Sequence, residues 1–105
     1  MTPMRACLYG SFIGATTFVT PMKAETIQVT IERMTFSPAT VEAKIGDTIE
    51  WINKEGLVHT ATVKGVWEVL ISAHKSGSFV VQSPGSMDYF CRYHPNMKGH
   101  LTVRP

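Results

Sequence analysis

Apolar and polar residues alternate with a period of two through most of the chain beyond residue 25. From Thr26 to Ile31, Ile27, Val29 and Ile31 fall on one side and Thr26, Gln28 and Thr30 on the other, the pattern of a half-buried strand. The period continues through Val41, Ala43 and Ile45, breaks at Gly46-Asp47 and resumes with Ile49, Trp51 and Asn53. After a turn at Lys54 to Gly56 come short segments at His59 to Val63, Val66 to Leu70, Ser78 to Val81, Ser86 to Cys91 and Gly99 to Val103, each bounded by turn residues. No segment holds a helical period for the ten or more residues a helix needs, although Trp67 to Ala73 has room for one turn. The pattern predicts an all-β domain of about seven to eight strands, arranged as a two-sheet sandwich with Greek-key connections. Phe36, Trp51, Phe79 and Phe90 are expected in its core, with Met34 and Met87 as apolar filler.

The first residues read differently. Arg5 precedes a mostly apolar stretch from Ala6 to Val19, and Ala24 is a suitable residue before a cleavage point, so residues 1–24 are expected to be a signal peptide that is removed. The stretch is shorter than the roughly 20 residues needed to span a bilayer, which disfavours a retained anchor. Export to the periplasm of residues 25–105 as one domain is the expectation, with no membrane span in the mature chain.

Composition then narrows the function. The 105-residue chain has a formal net charge of +2, but Arg5 and Lys23 leave with the leader. Lys plus Arg falls from 10 to 8 against 8 acids, so the mature domain is formally neutral. That balance disfavours nucleic acid, which normally demands a basic patch. Of the two cysteines, Cys7 leaves as well, and Cys91 remains as a lone thiol in an oxidising compartment. Such a thiol is buried and inert, reactive, or occupied by a metal, and a domain of about 81 residues gains from a metal staple.

The segment YFCRYHPNMKGHLTV favours the metal. Cys91, His94 and Met97 stand in the spacing Cys-x2-His-x2-Met, and His94-Pro95-Asn96 supplies the turn residues that let one short loop bring all three donors together. The chain's own His and Met frequencies would produce this spacing after a given cysteine with a probability of roughly 0.002. A thiolate, imidazoles and a weak thioether favour copper, as in a trigonal His2Cys site with a long axial Met. A second imidazole must come from elsewhere. His59 follows the turn after WINKEG and can reach across the sandwich; His74, in the polar stretch Ser72 to Ser78, and His100, out of phase with Leu101 and Val103, are the competitors.

The segments IGDTIEWINKEGLVHT and YFCRYHPNMKGHLTV resemble the cupredoxins, the type 1 blue-copper family, and the short ligand loop is most similar to that of the amicyanins. The resemblance covers essentially the whole mature chain and implies a cupredoxin-like sandwich with one copper ion held by His59, Cys91, His94 and Met97. It implies a monomeric one-electron carrier between redox proteins, with a dehydrogenase donor and a c-type cytochrome acceptor as the family's pattern. A periplasmic copper carrier or storage protein using the same ligands is the alternative. An enzyme is disfavoured because the chain has no nucleophile-base pairing or phosphate loop, and four protein ligands leave no open position for substrate. Three positions depart from the family. Asn usually follows the first ligand His, Pro often precedes it, and Thr or Ser commonly follows the Cys; here these are Thr60, Val58 and Arg92. The family's Asn braces the ligand loop, so Thr60 and Arg92 bear on its rigidity and on the potential of the metal. Leu57, Val58 and Pro95 are candidates for an apolar docking patch around the exposed edge of His94.

Overall fold

Nine strands form two sheets in a computed structural model that describes residues 23–105. The expected leader therefore lies outside the described residues except for Lys23 and Ala24. The strands are β1 (Thr26–Glu32), β2 (Thr35–Ser37), β3 (Thr40–Lys44), β4 (Thr48–Asn53), β5 (His59–Val63), β6 (Trp67–Ile71), β7 (Ser76–Val80), β8 (Gly85–Phe90) and β9 (Lys98–Arg104). One sheet has the order β2-β1-β4-β7 and the other β3-β9-β8-β5-β6. Pairs β1/β4 and β3/β9 are parallel and the rest antiparallel. The all-β sandwich read from the sequence is the one observed, and the described residues include no helix.

Alternation places the core between the sheets. Val29 and Ile31 of β1, Ile49 and Trp51 of β4, Val41 and Ala43 of β3, and Leu101 and Val103 of β9 are all buried. Each buried Val, Ile or Leu side chain contributes about 1.5–3 kcal/mol on leaving water. Trp51 crosses the interior to donate its Nε1–H to Tyr89 Oη at 3.2 Å, so the buried indole N–H has an acceptor. At the pole where the chain enters β1, Asp47 accepts the backbone N–H groups of Glu25 and Lys44, each at 2.9 Å. These bonds hold its carboxyl below the ordinary carboxylate range.

Three details differ from expectation. β2 is additional, because three residues with a single apolar position show no alternation; Arg33 and Met34 form the turn into it, with φ of 55° and 58°. The segment expected at Val66 to Leu70 is a strand at Trp67 to Ile71, paired with β5 from Trp67 opposite Val63 to Ile71 opposite His59, and the room for a helical turn there is not used. Ile45 is exposed because β3 ends one residue earlier, at Lys44. Met34 sits exposed on its turn instead of filling the core. Phe36 and Trp51 are buried as expected, while Phe79 is half-buried and stacks on Trp67 at 4.6 Å.

The connections β1–β2, β4–β5, β6–β7 and β8–β9 all gather at one pole. Residues 33–34, 54–58, 72–75 and 91–97 are thus neighbours there, although they are far apart in sequence.

Candidate metal centre

The seven-residue loop between β8 and β9 is clamped at its base by the Phe90–Lys98 pair. It closes on itself through three backbone bonds: His94 N–H to Cys91 O at 3.2 Å, Met97 N–H to His94 O at 2.8 Å, and Cys91 N–H to Met97 O at 3.1 Å. The result is a compact coil in which Cys91 and Met97 turn into the protein and are buried, while His94 stays half-buried at the surface.

His59, the first residue of β5, is fully buried beside this loop. Asn53, at the end of β4, pins the approach to it. Its side-chain amide donates to the carbonyls of Leu57 (2.7 Å), Ser72 (3.2 Å) and Ile71 (3.3 Å), and its Oδ1 accepts Glu55 N–H at 2.9 Å. One buried amide therefore ties the 54–58 loop to the β6–β7 connection.

Both imidazoles present Nδ1 to the sulfur. Cys91 Sγ lies 3.7 Å from Nδ1 of His59 and 3.7 Å from Nδ1 of His94, and the ring centroids are 5.0 Å apart. The three donor atoms lie within 4.8 Å of one another. Glu55 Oε1 sits 2.7 Å from His59 Nε2; a carboxylate accepts only, so the proton of the neutral ring is on Nε2 and the Nδ1 lone pair faces Cys91. Burial alone would raise the Glu55 carboxyl, but the Met34 N–H, the His59 ring and the Arg33 N–H outweigh it and hold it below its ordinary value.

The two sulfur–nitrogen separations suit a single ion. With metal–nitrogen and metal–sulfur bonds of about 2.0 and 2.3 Å, a trigonal arrangement needs a sulfur–nitrogen separation of about 3.7 Å, which both histidines have. Thr60 N–H points at Cys91 Sγ from 3.4 Å, the kind of donor that stabilises a thiolate. A thiolate, two imidazoles and a thioether in the same loop form a donor set suited to copper.

His59 is the imidazole that joins Cys91 and His94. His74 is exposed in the β6–β7 connection, and His100 projects outward, with Nδ1 2.7 Å from Asp88 Oδ1. Two residues that shape the centre, Asn53 and Glu55, did not stand out in the sequence. Asn53 left one trace, a polar residue on the buried phase of β4, whereas Glu55 left none. The departures Thr60 and Arg92 prove to be partners, with Arg92 N–H donating to Thr60 Oγ1 at 2.8 Å. Val58 is partly exposed beside Leu57.

Comparisons with known proteins point the same way. A family model described as a cupredoxin-like domain matches residues 6–103. Amicyanin-alpha from Methylorubrum extorquens is 31% identical over 97 residues, covering 86% of this chain and 82% of its own. The crystal structure of amicyanin from Paracoccus versutus superposes with a TM-score of 0.67 at 30% identity, over 81% of this chain and 85% of that one. A Cu(I) structure of a methionine-to-alanine amicyanin mutant gives 0.67 at 29% identity, over 75% and 82%.

Proposed function

Because the chain belongs to the cupredoxin-like family, we propose that it is a type 1 copper protein that carries one electron at a time between redox proteins in the periplasm, and is not an enzyme. Residues 1–24 serve as its export signal, and residues 25–105 are the working domain. His59, Cys91 and His94 would hold the copper, with the Met97 thioether as a weaker donor. The observation that carries this reading is the convergence of two histidine Nδ1 atoms on the buried Cys91 sulfur at equal distances of 3.7 Å.

Copper bound there supplies a Cu(II)/Cu(I) couple. The protein's part is to keep the ligand positions unchanged while the charge changes. Asn53 fixes the 54–58 loop, Glu55 holds His59 in one tautomer, and the backbone bonds of residues 91–97 fix the other three donors. Burial of Cys91, His59 and Met97 keeps water from the sulfur, and the half-buried His94 ring offers the route by which an electron leaves.

Met34, Tyr93, Pro95 and Asn96 line a surface depression with His94, and Leu57 and Val58 are exposed on the loop that leads to His59. This patch is the docking face for partner proteins, for which a dehydrogenase donor and a c-type cytochrome acceptor are the family's precedent. Pro95→Glu is expected to slow electron exchange with a c-type cytochrome several-fold while leaving the copper spectrum unchanged. Equal rates would remove the patch from the mechanism.

Repeated cycling with ascorbate and ferricyanide in the presence of a chelator tests electron carriage itself. Full recovery of the oxidised spectrum after each cycle, with copper retained, is the expected result. Loss of copper to the chelator on reduction would indicate a copper carrier instead.

A further inference from the structure

On the outer face of the second sheet, a closed ring of polar groups links the residues that follow two of the donors. Thr60 follows His59, and Arg92 follows Cys91. Arg92 N–H donates to Thr60 Oγ1 at 2.8 Å, and Thr60 Oγ1 lies 2.8 Å from Thr62 Oγ1. Thr62 donates to Glu68 Oε1 at 2.9 Å. Glu68 also accepts Nε and Nη2 of Arg92, at 2.9 and 3.0 Å, which closes the ring. Thr60 and Thr62 are buried, so their hydroxyls have no ready exchange with water.

The direction of the chain follows from chemistry. An ionised carboxylate accepts only, so the single proton of Thr62 goes to Glu68. Thr60 must then donate to Thr62, which leaves the Thr60 oxygen as acceptor for the Arg92 amide. Each donation polarises the next oxygen and strengthens its acceptance. The Arg92 guanidinium, followed by the Thr62 hydroxyl, keeps Glu68 ionised by pulling its carboxyl below the ordinary value. Fixing Thr60 through its side chain also fixes the N–H that it donates to Cys91 Sγ.

We propose that Glu68, which touches none of the four donors, is a positioning residue for the metal centre: its carboxylate orients the Thr62–Thr60 chain that anchors the Cys91–Arg92 peptide and holds the Thr60 N–H on the sulfur. The role at the copper rests on the proposed function; the anchoring of the peptide does not require metal. The position after the first ligand histidine therefore does not need Asn here, because a threonine supported by a glutamate on the adjacent strand performs the bracing.

Amide hydrogen exchange on residues 25–105, with and without copper, tests the anchor through two variants. Glu68→Ala removes the terminus of the chain, and Thr62→Val breaks its middle link without changing net charge. In both, the Arg92 amide is expected to lose at least tenfold of its protection relative to the amides of β4, which report global stability. Glu68→Gln, which keeps an acceptor oxygen for Thr62, is expected to restore much of it. On the copper form, Thr62→Val is expected to lower the reduction potential, because weakening a donor to the thiolate favours Cu(II). Unchanged Arg92 protection in both variants would overturn the proposal. So would loss in Glu68→Ala alone, which would reduce the effect to the ion pair. A wild-type protein without a copper–thiolate band would refute the copper reading and leave the exchange result standing.

Discussion

Gly99→Ala isolates one packing demand that the fold makes on the strand following the ligand loop. Gly99 pairs with Tyr89 across β8 and β9, and the Tyr89 ring lies directly over it. A Cβ at position 99 would stand 2.5 Å from Tyr89 Oη and 2.6 Å from Cε2. Ordinary contact therefore requires the ring to move by about 1 Å. It cannot do so freely, because Phe36 and Trp51 meet it edge-on, with centroids at 4.8 and 5.6 Å. Its hydroxyl also holds the Trp51 indole at 3.2 Å. Overpacking costs about 1–3 kcal/mol, and stranding a buried indole N–H adds about 1–3 kcal/mol, so a loss of about 2–6 kcal/mol is expected. Urea unfolding of the metal-free domain, followed by tryptophan fluorescence, measures it. In a Tyr89→Ala background, Gly99→Ala should be nearly neutral. A cost below about 1 kcal/mol in the wild type, or an equal cost in both backgrounds, would refute the clash with Tyr89.

Met97→Gln is expected to keep copper bound and lower the reduction potential, since the axial donor tunes the ion more than it holds it; an unchanged potential in a redox titration would refute the axial role. Leu101→Ala, at a fully packed position of β9, is expected to cost about 2–5 kcal/mol by urea unfolding, and a loss near zero would contradict the assigned core. Asp47 has a depressed pKa in the folded state, so its contribution is present above the ordinary carboxylate pKa of about 4 and is lost as pH falls through the folded value. The stability gap between wild type and Asp47→Asn should therefore narrow between pH 7 and pH 3, and a constant gap in urea midpoints would contradict the anchoring role.

The strands were legible where they bury one face. The phases of Val29 and Ile31, Ile49 and Trp51, and Leu101 and Val103 each match a side chain in the core. Thr35–Ser37 was not, because its pairing with β1 depends on a turn with two positive φ values that no glycine or asparagine announces. Three of the proposed donor positions stood out because they are local, within one seven-residue loop. His59 stood out less, as the better placed of three candidate histidines, because its approach to Cys91 is a tertiary fact. The bracing groups were hidden for the same reason. Thr60 and Arg92 were recognisable as departures, but nothing in the sequence says that a backbone N–H of one meets the hydroxyl of the other across 32 positions. Glu55 and Glu68 look like ordinary surface acids until the partners of their carboxylates are known.

The most direct test of the central claim is the visible spectrum of residues 25–105 titrated with Cu(II), beside a Cys91→Ala control. An intense blue band that saturates at one copper per chain and is missing from the control is the expected result, since it reports charge transfer from the Cys91 thiolate. A colourless wild-type protein, or a band that survives in Cys91→Ala, would contradict the assignment of the centre.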